Sequence, residues 1–254
     1  MKLHKILPAL ALVALTTACS SDYLDTVETP YITQKQKDEL TNDPAALPRV
    51  IKAELQAVYQ TFQIQDLESN TRHDYFGLKS VHLATDLMGE DMVQVKHHHF
   101  GFDYNLDNRE APYARTRYFW ALFYKIVASS NDFIVKYLSD DSKMTPELAT
   151  VKAELLTLRG LSYYYLVNLY QQTYKGNEQA LGVPLALPGS PKLQPRATVE
   201  EVYKQIVEDL TYGVENGQVT DDHADADKRV AAAFLAKTYA AMEDWANTEK
   251  YART

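Results

Sequence analysis

Residues 96–108 read KHHHFGFDYNLDN, the stretch of this 254-residue chain that gathers the most groups able to hold a ligand. Phe100, Phe102 and Tyr104 alternate with Gly101 and Asp103, so in an extended segment the three rings project to one side. Such rings stack on the C–H faces of sugars, while nearby His, Asp and Asn side chains, His99 among them, bond the hydroxyls. The ligand-binding candidates are therefore His99, Phe100, Phe102 and Tyr104. The competing reading is that these rings pin a long loop to the body of the fold.

Other chemistry finds less support. Alternation would let His97 and His99 face one ion, but no HExxH and no carboxylate partner accompanies them, so a solvated histidine run is the better reading. Asp221, Asp222, Asp225 and Asp227 lack the central Gly and distal Glu of a calcium loop and read as a solvated turn. No metal and no cofactor is expected. Carboxylates abound, yet a glycosidase pair is defined by a spatial separation that sequence does not give. With no GxSxG, Walker loop or GxGxxG, no catalytic residue is assigned and a non-enzyme is expected.

The net charge of −8 comes from interspersed acids and bases. Without a basic face there is nothing to neutralise phosphates, which argues against a nucleic-acid partner. The 18 tyrosines, against 8 Phe and 2 Trp, suit helix interfaces, protein interfaces and sugar-binding faces alike. Cys19 is the single cysteine, so neither an internal disulfide nor a CxxC site can form. It follows a basic start (Lys2, His4, Lys5) and an apolar run over 6–15 that is too short to span a bilayer, which is the layout of an export signal. Thr16, Thr17 and Ala18 then precede it as in a bacterial lipobox, with the large aliphatic residue, Leu15, one place early. Residues 1–18 are thus expected to be a lipoprotein signal peptide and Cys19 the lipid-attachment site. Residues 19–48, punctuated by Pro30, Pro44 and Pro48, read as a tether and N-terminal segment.

From about residue 49 helical patterning takes over. Leu47, Ile51, Leu55, Val58 and Phe62 share one helix face, and a weaker helix covers 74–87. A long helix over 112–138 carries Asn131 in its apolar stripe, where a buried amide must tie to a neighbour's backbone. Thr145 and Pro146 begin the next helix, whose YYY at 163–165 spreads rings around the circumference and so predicts packing on more than one face. Arg159 and Asn168 on that helix read as internal salt-bridge or capping residues. Four prolines in 182–198 favour extended backbone, and helix resumes at the capping box Thr198 to Glu201. Helices over 229–242 and from DWANTEKYA follow. The last is opened without a C-cap, which predicts the N-terminal part of a longer protein.

Leu235, Ala236 and Tyr239, then Trp245 and Ala246, suggest tetratricopeptide-like hairpins. In order, the lipoprotein cysteine with SDYLD, YFWALFYKIVASSNDFI, VKAELLTLRGLSYYYLVNLY, LGVPL, PRATVEEVYKQIVEDL and RVAAAFLAKTYAAMEDWANTEKYA resemble the SusD/RagB family of Bacteroidetes. The chain departs from that pattern in QQTYKGNEQALG, where the family usually carries an aromatic-glycine pair before VPL. The resemblance implies an all-α fold of tetratricopeptide-like helical hairpins with long loops. On it, residues 49–254 are the N-terminal portion of a SusD-like helical domain whose C-terminal part is missing. It further implies a lipid-anchored, surface-exposed outer-membrane protein that captures an oligosaccharide or other nutrient and passes it to a SusC-like TonB-dependent transporter. A tetratricopeptide-like adaptor lipoprotein that binds only protein is the alternative.

Overall fold

A computed structural model describes residues 33–43, 46–64, 74–96, 98–190, 194–222 and 224–254. Cys19, the expected signal peptide and His97 lie outside the described residues. The chain divides into two units after Val50.

In the first unit, helix α1 (Gln34–Asn42) falls inside the segment read as a tether. Thr33 and Gln36 close a capping box, each side chain accepting from the other's backbone N–H. This T-x-x-Q signature was legible, but the helix is polar and offers no apolar stripe to flag it.

Helix α2 (Leu47–Gln60) buries Ile51, Leu55 and Val58 at helical spacing and tightens into a 3₁₀ turn at Thr61–Gln63. Helix α3 (Leu78–Met88) starts later than residue 74. Gly77 sets that start: its φ is 71°, and a Cβ there would lie 1.7 Å from the Phe62 carbonyl oxygen. After a single helical turn, α4 (Gly101–Tyr104), come the long helices α5 (Ala114–Tyr137) and α6 (Pro146–Tyr170). The order continues with strands β1 (Leu181–Pro184) and β2 (Arg196–Thr198), then α7 (Val199–Asn216), α8 (Lys228–Ala241) and α9 (Trp245–Ala252). Each of α5 to α9 packs against the next, and α6 also touches α8, so the body is an all-α array of helical hairpins.

The predicted helix starts hold: Thr145 caps α6 with Pro146 at its first position, and Thr198 with Glu201 forms the capping box of α7. The proline-rich segment is extended where it pairs, β1 running antiparallel to β2 with Leu181 opposite Thr198 and Pro184 opposite Arg196.

Tyrosine does much of the tying, with its ring in the core and its hydroxyl on a loop backbone. Tyr124 donates to the Pro184 carbonyl at 2.7 Å and Tyr163 to that of Ala186 at 2.9 Å. Tyr118 donates to Ile64 O and accepts from Gly77 N, both at 2.7 Å. Asn131 adds a bond from Nδ2 to Ala186 O at 2.7 Å, the backbone tie that its place in the stripe demanded.

Helix α6 is the hub, buried continuously from Leu155 to Tyr163. Glycines permit the closest approaches: a Cβ at Gly160 would lie 2.9 Å from Leu210 Cγ, and one at Gly213 only 2.3 Å from Thr157 Oγ1. Beside them Arg159 grips Asp209 with two bonds, Nε to Oδ2 at 2.7 Å and Nη2 to Oδ1 at 2.6 Å. Asn131 Oδ1 accepts from Arg159 Nη1 at 2.8 Å, and Gln205 Nε2 donates to Asp209 Oδ1 at 2.9 Å. One polar cluster therefore joins α5, α6 and α7. Burial pushes the Asp209 carboxyl up from the usual range, and the two-point grip of Arg159 opposes that push.

Asp227 is no solvated loop residue. It is 3% exposed and caps α8, accepting from the backbone N–H of Arg229 (2.8 Å) and Val230 (3.3 Å) and from Arg229 Nε (2.8 Å). Burial alone would raise its pKa, but the bonds from Arg229 and from the backbone of Thr220, Val230 and Arg229 together hold it below the usual carboxylate range. A folded pKa below the unfolded value of about 3.9 gives stability that is complete above that pH and lost as pH falls through the folded value. Asp227→Asn should therefore flatten the acid limb of stability below about pH 4, read from urea midpoints across pH.

The α8–α9 turn places Glu243 at φ 61°, with Glu243 N bonded to Ala240 O (3.1 Å) and Asp244 N to Tyr239 O (2.9 Å). This is a Schellman closure with a side chain where glycine is usual, and Asp244 then caps α9. Relief of left-handed strain, less the extra chain entropy of glycine, predicts that Glu243→Gly stabilises by roughly 0.5–1 kcal/mol in denaturant unfolding.

Candidate functional site

Arg115, in the first turn of α5, organises the segment singled out by the sequence. Its Nη2 lies 2.9 Å from Asp74 Oδ2 and 2.8 Å from Asp103 Oδ2, and Nη1 donates to the Asp74 carbonyl at 2.9 Å. The guanidinium sits over three rings, 4.9 Å from the centroid of Phe100, 5.2 Å from Phe119 and 5.5 Å from Tyr75. Burial raises the pKa of Asp103, and Arg115 opposes that rise.

This grip sets the conformation of the segment. Residues 101–104 form a helical turn in place of the expected extended run, so the three rings do not share a side. Phe100 is 8% exposed beneath Arg115 and acts as the anchor of the loop, whereas Phe102 (40%) and Tyr104 (39%) face solvent and His99 is exposed. What decides between the two periodicities is a cation twelve residues further on, invisible to local patterning.

The turn closes with Leu106 N bonded to Asp103 O (3.1 Å) and Asp107 N to Phe102 O (2.8 Å). Leu106 and Asn108 both take left-handed φ, 56° and 54°, and that path turns Asp107, Asn108 and Arg109 toward a cleft of about 450 Å³. Thr116 and Phe119 of α5 form a second wall, and Asn168 to Gln172 at the C-terminal end of α6 form a third. Arg109 Nη2 rests on Met88 Sδ at 3.0 Å, and Tyr170 donates to the Thr116 carbonyl at 2.5 Å. Asn168 bonds its own helix at Tyr164 O (2.7 Å) as well as lining the cleft, while Arg159 is the internal salt-bridge residue expected of it.

Amides, a hydroxyl and carboxylates surrounding ring and aliphatic surface make a site suited to a hydroxyl-rich molecule. The sequence pointed to residues 96–108 but to their rings; the structure brings their polar members to the cleft and adds the amides of α6. The only local signal for the latter was the run NLYQQ at a helix end. Among the described residues no group of three or more His, Cys, Asp or Glu could hold a metal ion, and no helix is long and apolar enough to cross a membrane.

Comparison with known proteins fits this architecture. A SusD-like family model, described as "Starch-binding associating with outer membrane", matches residues 22–240. The chain belongs to the SusD-like family. A SusD-like protein of Bacteroides ovatus is 26% identical over 132 residues, 50% of this chain and 23% of that protein. Among solved structures, a SusD-like carbohydrate-binding protein of Bacteroides vulgatus superposes with a TM-score of 0.70 at 19% identity, covering 79% of this chain and 43% of the other. A laminarin-binding SusD-like protein gives 0.61 at 22% identity, over 80% and 41%. At those identities the structures share the fold, the all-α hairpin array described above. The SusD-like chain spans less than half the length of each of these three relatives.

Proposed function

We propose that this SusD-like protein is a non-catalytic glycan-binding lipoprotein of the outer membrane. It captures an oligosaccharide at the cell surface and delivers it to a SusC-like TonB-dependent transporter. The family match over residues 22–240, with its description of starch binding and outer-membrane association, carries this reading. The names of two fold neighbours, one carbohydrate-binding and one laminarin-binding, support it. So does the polar cleft, which offers donors and acceptors for hydroxyls beside ring surface. Cys19 supplies the anchor: its acylated thiol holds the protein at the membrane and raises the local concentration of captured ligand at the pore. Exposed Phe102 and Tyr104, with His99, form an outer contact for sugar rings beside the cleft residues, and residues 49–254 are the part of the helical domain that carries them.

The test is purification of the protein from membranes. Mass spectrometry should find a diacylglyceryl cysteine at position 19 as the first residue, and a TonB-dependent transporter should co-purify. A soluble, unacylated protein would remove the lipoprotein and delivery steps. New reducing ends generated from any glycan would remove the non-catalytic one.

A further inference from the structure

We infer that the strand-like segment 92–96, between α3 and α4, is a docking strand that pairs antiparallel with the same segment of a second copy of this chain. The inference goes beyond glycan capture and does not depend on it. Three observations carry it.

The first is an unpaired backbone. Residues 92–95 form no helix, turn or bend, and exposure alternates from Asp91 to Val95 with the period of two that a strand has. Among the described residues none donates to or accepts from the backbone of residues 90–96. Val95 (91%) and Val93 (71%) are the two most exposed large apolar residues among those described. Free backbone groups beside alternating, exposed β-branched side chains are a template for another strand.

The second is that both ends are fixed. At one end α3 stops at Met88, where Gly89 N donates to Asp86 O at 3.2 Å. At the other, Gly101 N donates to His98 O at 2.8 Å and Phe100 is buried beneath Arg115. A partner strand therefore meets a segment already held between two anchors, which lowers the cost of ordering it.

The third is self-complementarity, which is what commits the strand to a second copy. Residues 90–96 read EDMVQVK, with acids at one end, a base at the other and Gln94 between two valines. Antiparallel pairing about Gln94 sets Val93 of each copy opposite Val95 of the other, and brings Glu90 and Asp91 of each beside Lys96 of the other. Parallel pairing would put acid on acid and base on base. The contact is isologous, so one two-fold axis through Gln94 closes it and no chain of copies grows from it. A strand pair this short buries less than the roughly 1,200 Å² of a stable complex, so the pairing is weak and reversible. The anchor proposed for Cys19 would reinforce it by confining copies to one surface.

Disulfide trapping of the purified full-length chain under mild oxidation tests this. In Gln94→Cys the two introduced thiols flank the axis, with Cα atoms about 4.5–5.5 Å apart and within disulfide reach. Covalent dimer should form several times faster than in Lys143→Cys, whose thiol replaces an exposed lysine elsewhere, or in the parent, whose single cysteine is Cys19. The register is read from Val93→Cys and Val95→Cys, one of them tagged. Their mixture should trap the mixed dimer faster than either variant traps itself, because positions 93 and 95 lie opposite each other only across copies. Circular dichroism should match the parent throughout. Trapping of Gln94→Cys no faster than Lys143→Cys, or a mixed dimer no faster than the self-dimers, overturns the inference. Slow labelling of the Gln94→Cys thiol only when a transporter co-purifies would assign the strand to that partner and overturn pairing between copies.

Discussion

Replacing Arg115 with alanine is expected to destabilise the fold by about 3–5 kcal/mol, because it strips the counter-charge from buried carboxylates. Asp74 is fully buried and Asp103 is 6% exposed, and both face the same guanidinium nitrogen. The packing loss adds to this, since the guanidinium also covers Phe100, Phe119 and Tyr75. Lysine should not rescue, as one ammonium cannot reach the two carboxylates and the Asp74 carbonyl in the planar fork that arginine provides. The pH dependence has a definite sign. Asp103 already titrates above the usual carboxylate range through burial, and removing Arg115 raises its folded pKa further. The penalty is therefore full at neutral pH and shrinks as pH falls through that raised value toward the unfolded value of about 3.9. Urea unfolding at pH 7.5 and pH 5 would show the larger loss at pH 7.5. A loss below about 1 kcal/mol at both would mean that the Arg115 cluster does not hold the 101–104 turn in place.

The second large effect concerns Arg159 and Asp209. Asp209→Ala leaves the Arg159 guanidinium buried with only Asn131 to meet it, and should cost about 3–5 kcal/mol. Removing both charges together is a different matter. Arg159→Met with Asp209→Leu should cost far less than the single change, because the desolvation of both ions is relieved at once and apolar volume fills the space. Leu210 and Gly160 meet beside this pair, so a β-branched replacement would crowd the α6–α7 contact. A double variant no more stable than Asp209→Ala would show that the cluster works through geometry more than through charge compensation. Chemical denaturation of the two variants and the parent gives the coupling directly.

How far the sequence led can be seen in these same residues. Where a rule is local, it was readable: Thr145–Pro146 and Thr198–Glu201 mark helix starts within four residues, and the continuous burial of α6 follows from its rings on every side. Thr33–Gln36 is an equally local signal, but α1 lacks the apolar face that usually accompanies a cap. Asn131 could be assigned a backbone partner on polarity alone, though not Ala186 in particular, which lies 55 residues on. The site was harder. Alternating rings at 100, 102 and 104 fit a strand as well as a helical turn, and Arg115 chose the turn. The cleft joins residues 103–109 to 168–172, a pairing set by the docking of α5 on α6 and carried by no short-range pattern. Asp227 read as one of four solvated acids, because its cap role depends on where α8 begins.

Glycan capture without turnover is the central claim, and one titration tests it most directly. The mature, full-length protein is titrated calorimetrically with a panel of neutral and anionic polysaccharides, and each mixture is afterwards assayed for reducing ends. The expected result is saturable binding of at least one polysaccharide, with the reducing-end count unchanged after prolonged incubation. Absence of heat across the whole panel, or growth of reducing ends in any mixture, would contradict it.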